Sequence, residues 1–113
     1  MVEGVGIYPH QEEELTIPDV YLQYAKLAEY LHQIPPHIHL IICGGNHDAL
    51  RLSEPQPKID KKYAGSLYEL SNATFVTNPS VVNIHKSSDF PGFDVLMYHG
   101  FSLTYYGDVV PSL

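Results

Sequence analysis

The sequence predicts an α/β fold, and three observations carry that expectation. A long stripe-patterned stretch, "TIPDVYLQYAKLAEYLHQI", is stopped by Pro35-Pro36. A short β-branched apolar run, residues 37–43, follows at once, and helix, break and buried strand together form the repeating unit of an α/β sheet. The second half then offers three more strand candidates separated by turn residues. At 113 residues the chain is long enough for one small domain and not for two.

The elements follow in order. Residues 4–9, "GVGIYP", are punctuated by glycine and proline and predict a loop, and Glu12-Glu13-Glu14 behind it reads as a solvated acidic run. In the first helix, Val20, Tyr24, Leu27, Ala28 and Leu31 fall on one stripe at helical spacing. Asp19 stands near its start, where a carboxylate suits the positive end of the helix dipole. "HIHLIIC" is almost continuously apolar towards its end, as expected of a strand buried on both faces. "DALRLSEP" predicts only a brief helix, and "SEPQPKIDKK" a loop with solvated lysines. "SLYEL" predicts one or two helical turns. "ATFVT", "VVNIHK" and "FDVLMYHG" are the strand candidates, divided by Asn78-Pro79 and by "SSDFPG". His37 and His39 sit at the start of a strand, at the end of the sheet away from any strand-end site. They read as surface residues, as do His32 and His85.

Composition narrows the function classes. Thirteen acidic residues against six basic ones leave a formal charge of −7, and no Lys/Arg cluster exceeds Lys61-Lys62. A domain built mainly to grip nucleic acid shows a basic face, so any contact with DNA is expected to run through a bound metal ion or a partner chain. The single cysteine, Cys43, lies inside an apolar run and reads as a small buried hydrophobe in a reducing compartment. No apolar stretch approaches the ~20 residues of a membrane span, and the N-terminus lacks a signal-peptide pattern. A soluble cytoplasmic domain with no membrane partner is expected, and the sequon Asn72-Ala73-Thr74 is then accidental.

The chemistry concentrates in "LIICGGNHDAL", residues 40–50, where an apolar strand ends in two glycines and an Asn-His-Asp triplet. In an open α/β sheet, ligand residues gather in the loops at the carboxyl ends of strands. Gly44 and Gly45 are expected to make a tight turn with positive φ and to leave room for a ligand. Asn46 offers a neutral amide oxygen to a divalent cation. His47 can bind a metal, or can stand clear of it as an acid near neutral pH, and Asp48 is expected to hold its imidazole and favour the protonated form. A second strand, "FDVLMYHG", finishes in His99 with a glycine behind it, and neighbouring strand ends would bring the two loops together. The plain alternative for an isolated strand-end histidine is a hydrogen bond to backbone.

"GNHD" behind an apolar strand resembles the third signature block of the calcineurin-like metallophosphoesterases, and the later "HG" resembles the fourth. The resemblance implies a layered α/β sandwich with mixed sheets. It also implies that Asn46 and His99 are metal ligands, that His47 contacts the phosphate or protonates the leaving group, and that two divalent ions assist displacement at phosphorus. "GVGIYPHQEEEL", "YLQYAKLAEYLHQIP", "GNHDALRLSEPQP" and "FPGFDVLMYHG" together resemble the small subunits of the archaeal family D DNA polymerases over roughly residues 4–100. That resemblance implies a Mn²⁺-dependent 3′→5′ exonuclease that proofreads primer 3′ ends beside a large catalytic subunit. It is also similar to the non-catalytic B-subunits of eukaryotic replicative polymerases, whose fold serves as a scaffold.

The departures carry equal weight. The family's Asp-x-His and Gly-Asp blocks would precede "VEGVG", and its Gly-His-x-His block would follow "VVPSL"; none lies within these residues. Residues 1–113 are therefore expected to be a partial metallophosphoesterase domain, truncated at both ends and inactive by itself. Gly44 replaces the usual proline, and His10 stands where a glycine is expected. Three functions remain: an active exonuclease subunit, a scaffold subunit with a vestigial site, or a different metallophosphoesterase. "YPHQEEEL" and "SEPQP" argue against the last, because phosphoester chemistry does not require them.

Overall fold

A computed structural model describes residues 13–111. The loop expected over 4–9, His10 and Glu12 lie outside these residues; Glu13 and Glu14 are exposed, as a solvated acidic run should be.

Helix α1, Val20–Leu31, begins where the sequence places it. Asp19 does more there than favour the dipole: its carboxylate accepts the Leu22 N–H at 3.0 Å, which makes it the N-cap. The expected stripe is the buried one. Tyr24 and Ala28 are buried, and Val20, Leu27 and Leu31 pack beside them against Ile59, Ala64, Leu67, Leu70 and Phe75.

Strand β1 is shorter than expected, Leu40–Ile42. It pairs in parallel with β2, Ala73–Phe75, in the register Leu40–Ala73, Ile41–Thr74 and Ile42–Phe75. It is half-buried along its length rather than buried on both faces, and β2 is its one strand neighbour among the described residues. "SLYEL" forms a 3-10 helix over Gly65–Glu69, with Leu67 fully buried. The brief helix expected in "DALRLSEP" does not form, and the chain runs there through turns and bends. Prolines at 55 and 57 deny the segment the backbone donors a helix would use.

Strands β3, Ser80–Ile84, and β4, Phe93–Met97, make an antiparallel hairpin around the "SSDFPG" turn, with Val82 opposite Val95. The class is α/β as expected. Among the described residues, however, the anticipated mixed sheets are two separate two-stranded ones, one parallel and one antiparallel. A second helix, α2 at Phe101–Val109, follows β4, where the sequence offered no element. No helix among the described residues is long and apolar enough to cross a membrane.

Asn72 is buried, and its amide donates to the Ile38 carbonyl at 2.8 Å, which fits a sequon that carries no sugar. His39 stands at the entry to β1 with its Nε2 2.8 Å from Thr74 Oγ1, and His32, His37 and His85 are exposed.

Candidate functional site

The segment after β1 leaves the sheet at Cys43 and turns through residues 44–49. Tyr24, reaching out of α1, holds this turn. Its hydroxyl donates to Asp48 Oδ1 at 2.9 Å and accepts the Ala49 N–H at 3.0 Å. Asp48 Oδ2 accepts the Gly45 N–H at 2.8 Å. Both carboxylate oxygens are thus committed to the turn, and no hydrogen bond among the described residues joins Asp48 to His47. The expected role of Asp48 is corrected accordingly: it orders the backbone that carries Asn46 and His47, and does not hold the imidazole. Burial, helped by the nearby Asp48 charge and opposed by the Ala49 N–H, keeps the Tyr24 hydroxyl neutral well above its ordinary range.

The glycines serve differently from expectation too. Positive φ occurs at Gly92 and Gly100, and not at Gly44 or Gly45. Gly45 is required by close approach: a Cβ there would lie 2.8–3.0 Å from the His99 ring atoms. Gly44 faces the Leu50 side chain in the same way. At the site the left-handed glycine is Gly100, at φ +86°, which lets the chain pass from β4 through His99 into α2.

His99 and Asn46 meet. The imidazole Nε2 lies 2.7 Å from Asn46 Oδ1, across 53 positions of sequence. A carbonyl oxygen only accepts, so Nε2–H is the donor. The sequence reading that the two loops converge therefore holds, although β1 and β4 belong to different sheets. They are joined by the segment between β2 and β3: Asn78 Oδ1 accepts the His99 backbone N–H at 2.9 Å. Gly45, Asn46, His47, Asp48 and His99 line one cleft of about 500 Å³, walled by Leu27, Ile42, Cys43 and Ile59. His47 is exposed at its mouth. Cys43 is half-buried rather than buried, and burial pushes its thiol up, away from a reactive thiolate.

An amide oxygen beside an imidazole nitrogen is a neutral donor pair suited to a first-row divalent ion. Two cis donors on one such ion stand about 3 Å apart when each bond is about 2.1 Å, so a separation of 2.7 Å needs little adjustment. No group of three His, Cys, Asp or Glu side chains is gathered for a metal among the described residues. The pair fits one face of a cation and does not by itself make a two-ion centre. Sequence reasoning missed Tyr24 as a part of the turn, having read it as core, missed Gln56, and read Asn78 only as a turn residue before Pro79. An amide-bearing residue in "SEPQP", a segment too polar for core and too proline-rich for helix, was the available signal.

Fold and geometry together define an α/β protein with a candidate site at strand ends, built on an Asn-His turn and a second strand-end histidine. No family model matches the chain. It is 51% identical over 100 residues to the DNA polymerase II small subunit of Methanocaldococcus jannaschii, covering 88% of this chain and 16% of that protein. It is 44% identical over all 113 residues to the DNA polymerase II small subunit of Pyrococcus furiosus, 17% of that protein, and 47% identical over 103 residues to that of Halobacterium salinarum, covering 91% of this chain and 19% of that protein. Over this segment the chain is similar to archaeal DNA polymerase II small subunits. It spans between 16% and 22% of the length of the curated relatives it matches.

Proposed function

We propose that the chain is part of the small subunit of an archaeal DNA polymerase, and that its site serves a metal-dependent 3′→5′ exonuclease acting on primer ends. The observation that carries this reading is the meeting of Asn46 and His99 at 2.7 Å, at the mouth of a cleft that also presents His47. The similarity to DNA polymerase II small subunits supports the polymerase assignment, and the resemblance to metallophosphoesterases supplies the chemistry. Bound divalent ions, with Mn²⁺ the first candidate, would polarise a phosphodiester and activate water. Asn46 Oδ1 and His99 Nε2 are the residues that would hold one of them, the imidazole carrying its proton on Nδ1 once the ion replaces the Asn46–His99 hydrogen bond, and a two-ion centre needs further donors beyond the described residues.

The roles of the chain's own residues follow from position. Asn46 is held in place by a turn whose backbone is fixed by Asp48 and Tyr24. His47, exposed at the cleft mouth and free of Asp48, is placed to meet the phosphate or to give a proton to the departing 3′ oxygen. The large catalytic subunit would be the partner, and with a formal charge of −7 the metal and that subunit would do the attracting of DNA.

The test is 3′→5′ exonuclease activity of the full-length protein with Mn²⁺, on single-stranded and mismatched primer ends, beside His47→Ala. Loss of at least a hundredfold in the variant is the expected result, since general acid catalysis contributes roughly 10²–10⁴-fold. Equal activity in both proteins would sink the assignment of His47.

One observation favours a scaffold reading beside this one. Helix α2 has no buried residue among the described ones, and it presents Phe101, Leu103, Tyr105, Tyr106 and Val109 to the exterior. Aromatic residues are enriched at interface cores. Co-purification of the large subunit with an Asn46, His47 and His99 triple alanine variant would show that assembly does not need the site.

A further inference from the structure

Behind the Asn46–His99 pair lie two fully enclosed amides. Gln56 is 2% exposed and Asn78 is 0% exposed. Asn78 Nδ2 donates to Gln56 Oε1 at 2.6 Å. Gln56 Nε2 donates to the Gly45 carbonyl at 3.2 Å and to the Arg51 carbonyl at 2.9 Å. Asn78 Oδ1 accepts the His99 N–H at 2.9 Å. The two residues also exchange both backbone hydrogen bonds, at 2.7 and 3.1 Å.

These bonds leave neither amide a choice of orientation. A backbone N–H at one end must meet an oxygen, and two backbone carbonyls at the other must meet a nitrogen. The polarity therefore runs one way, from the His99 main chain through Asn78 and Gln56 to the Gly45 main chain. Burying two side-chain amides is costly unless every bond is made. An apolar pair would fill the same space, but it would not tie these two loops together.

The outer ends of the relay matter most. They are the residue before Asn46 and the main chain of His99 itself. With the Asn46–His99 side-chain bond, the relay closes a ring, in which the donor pair is braced from behind by two buried side chains. We propose that Gln56 and Asn78 are positioning residues that hold Asn46 and His99 at the separation one divalent cation requires. The inference rests on the metal-site reading above.

The test uses the full-length protein and Mn²⁺ alone. Gln56→Met keeps the volume and removes three hydrogen bonds. It is expected to weaken Mn²⁺ binding by about 10–100-fold, the usual cost of losing a group that orients a metal ligand. In an Asn46→Ala background the same change is expected to alter residual Mn²⁺ binding by less than about twofold, because there is no longer a pair to hold. A second readout needs no metal: amide hydrogen exchange at His99, which Gln56 does not touch, is expected to accelerate about tenfold or more while Ala28 in the core is unchanged. Should Gln56→Met fail to fold, Gln56→Glu keeps the shape and the Asn78 bond while leaving at most one of the two donations to carbonyls, and the same outcomes apply.

Equal weakening in both backgrounds, or unchanged exchange at His99, would overturn the relay. Mn²⁺ binding that is indifferent to Asn46→Ala would overturn the metal reading instead. Binding that depends on Asn46 but not on Gln56 would overturn only the present inference.

Discussion

Replacing Tyr24 by phenylalanine removes one oxygen and two hydrogen bonds, and leaves Asp48 Oδ1 and the Ala49 N–H without their partner. The expected cost is about 1–3 kcal/mol, read as a shift in denaturant midpoint at unchanged slope. The pH dependence has a definite sign. Tyr24 ionises in the unfolded chain near its ordinary value of about 10, while the folded protein keeps it neutral well beyond that. Its contribution is therefore intact below about pH 10 and is lost as pH rises past it. Tyr24→Phe is expected to flatten the alkaline fall in stability, and an unchanged alkaline limb would refute the assignment. Gly45→Ala makes a different kind of test. Its new Cβ would lie 2.8–3.0 Å from an exposed His99 ring that is able to swing aside. A modest change in unfolding midpoint with at least tenfold weaker Mn²⁺ binding is expected, by calorimetric titration. At this scale "GNHD" was legible because its residue types are rare behind a buried strand. The real partner of Asp48 was not, because Tyr24 lies 24 positions away and its apolar ring matched the core stripe equally well.

Among the elements, α1 is the one most clearly written in the sequence, from its N-cap to the double proline. Asp19→Ala is expected to destabilise by about 1 kcal/mol through loss of the cap, and Asp19→Ser to recover most of it, by thermal melts followed at the helix signal. Strand positions were also legible, since β-branched runs between turn residues have few other uses. Two elements were misjudged for physical reasons. Strand β1 read as doubly buried because an apolar run records the surroundings a strand is built for, whereas the described residues supply one neighbour. Helix α2 was missed because it contains Gly107, lacks a side-chain N-cap, and presents no apolar stripe that packs against the described core. Propensity and capping, the usual signs of a helix, are both weak there.

For the molecule as a whole, the distribution of apolar surface is the leading feature. The core gathers around Tyr24, Leu67 and Phe75, while the β3–β4 hairpin shows Val81, Phe93 and Leu96 at 59–65% exposure and α2 shows Leu103 and Tyr105 at 60–64%. Exposed strand edges and apolar faces invite association. The 113 residues in isolation are expected to self-associate with rising concentration, by sedimentation velocity, and Leu96→Lys with Leu103→Lys to reduce it. The contrast between a braced site and uncovered faces has a further consequence, which concerns time. Joining Asn46 to His99 directly would close a loop of 53 residues, one fewer than the stretch from Gly45. The relay divides that closure into spans of 11, 22 and 21. Loop entropy grows with the logarithm of length, so each contact shortens the search left to the next. The Gln56 bond can form while β4 is still being synthesised, Asn78 can join it when the next turn arrives, and His99 then docks onto a surface already made. Contacts made in chain order would leave the donor pair as the last to close.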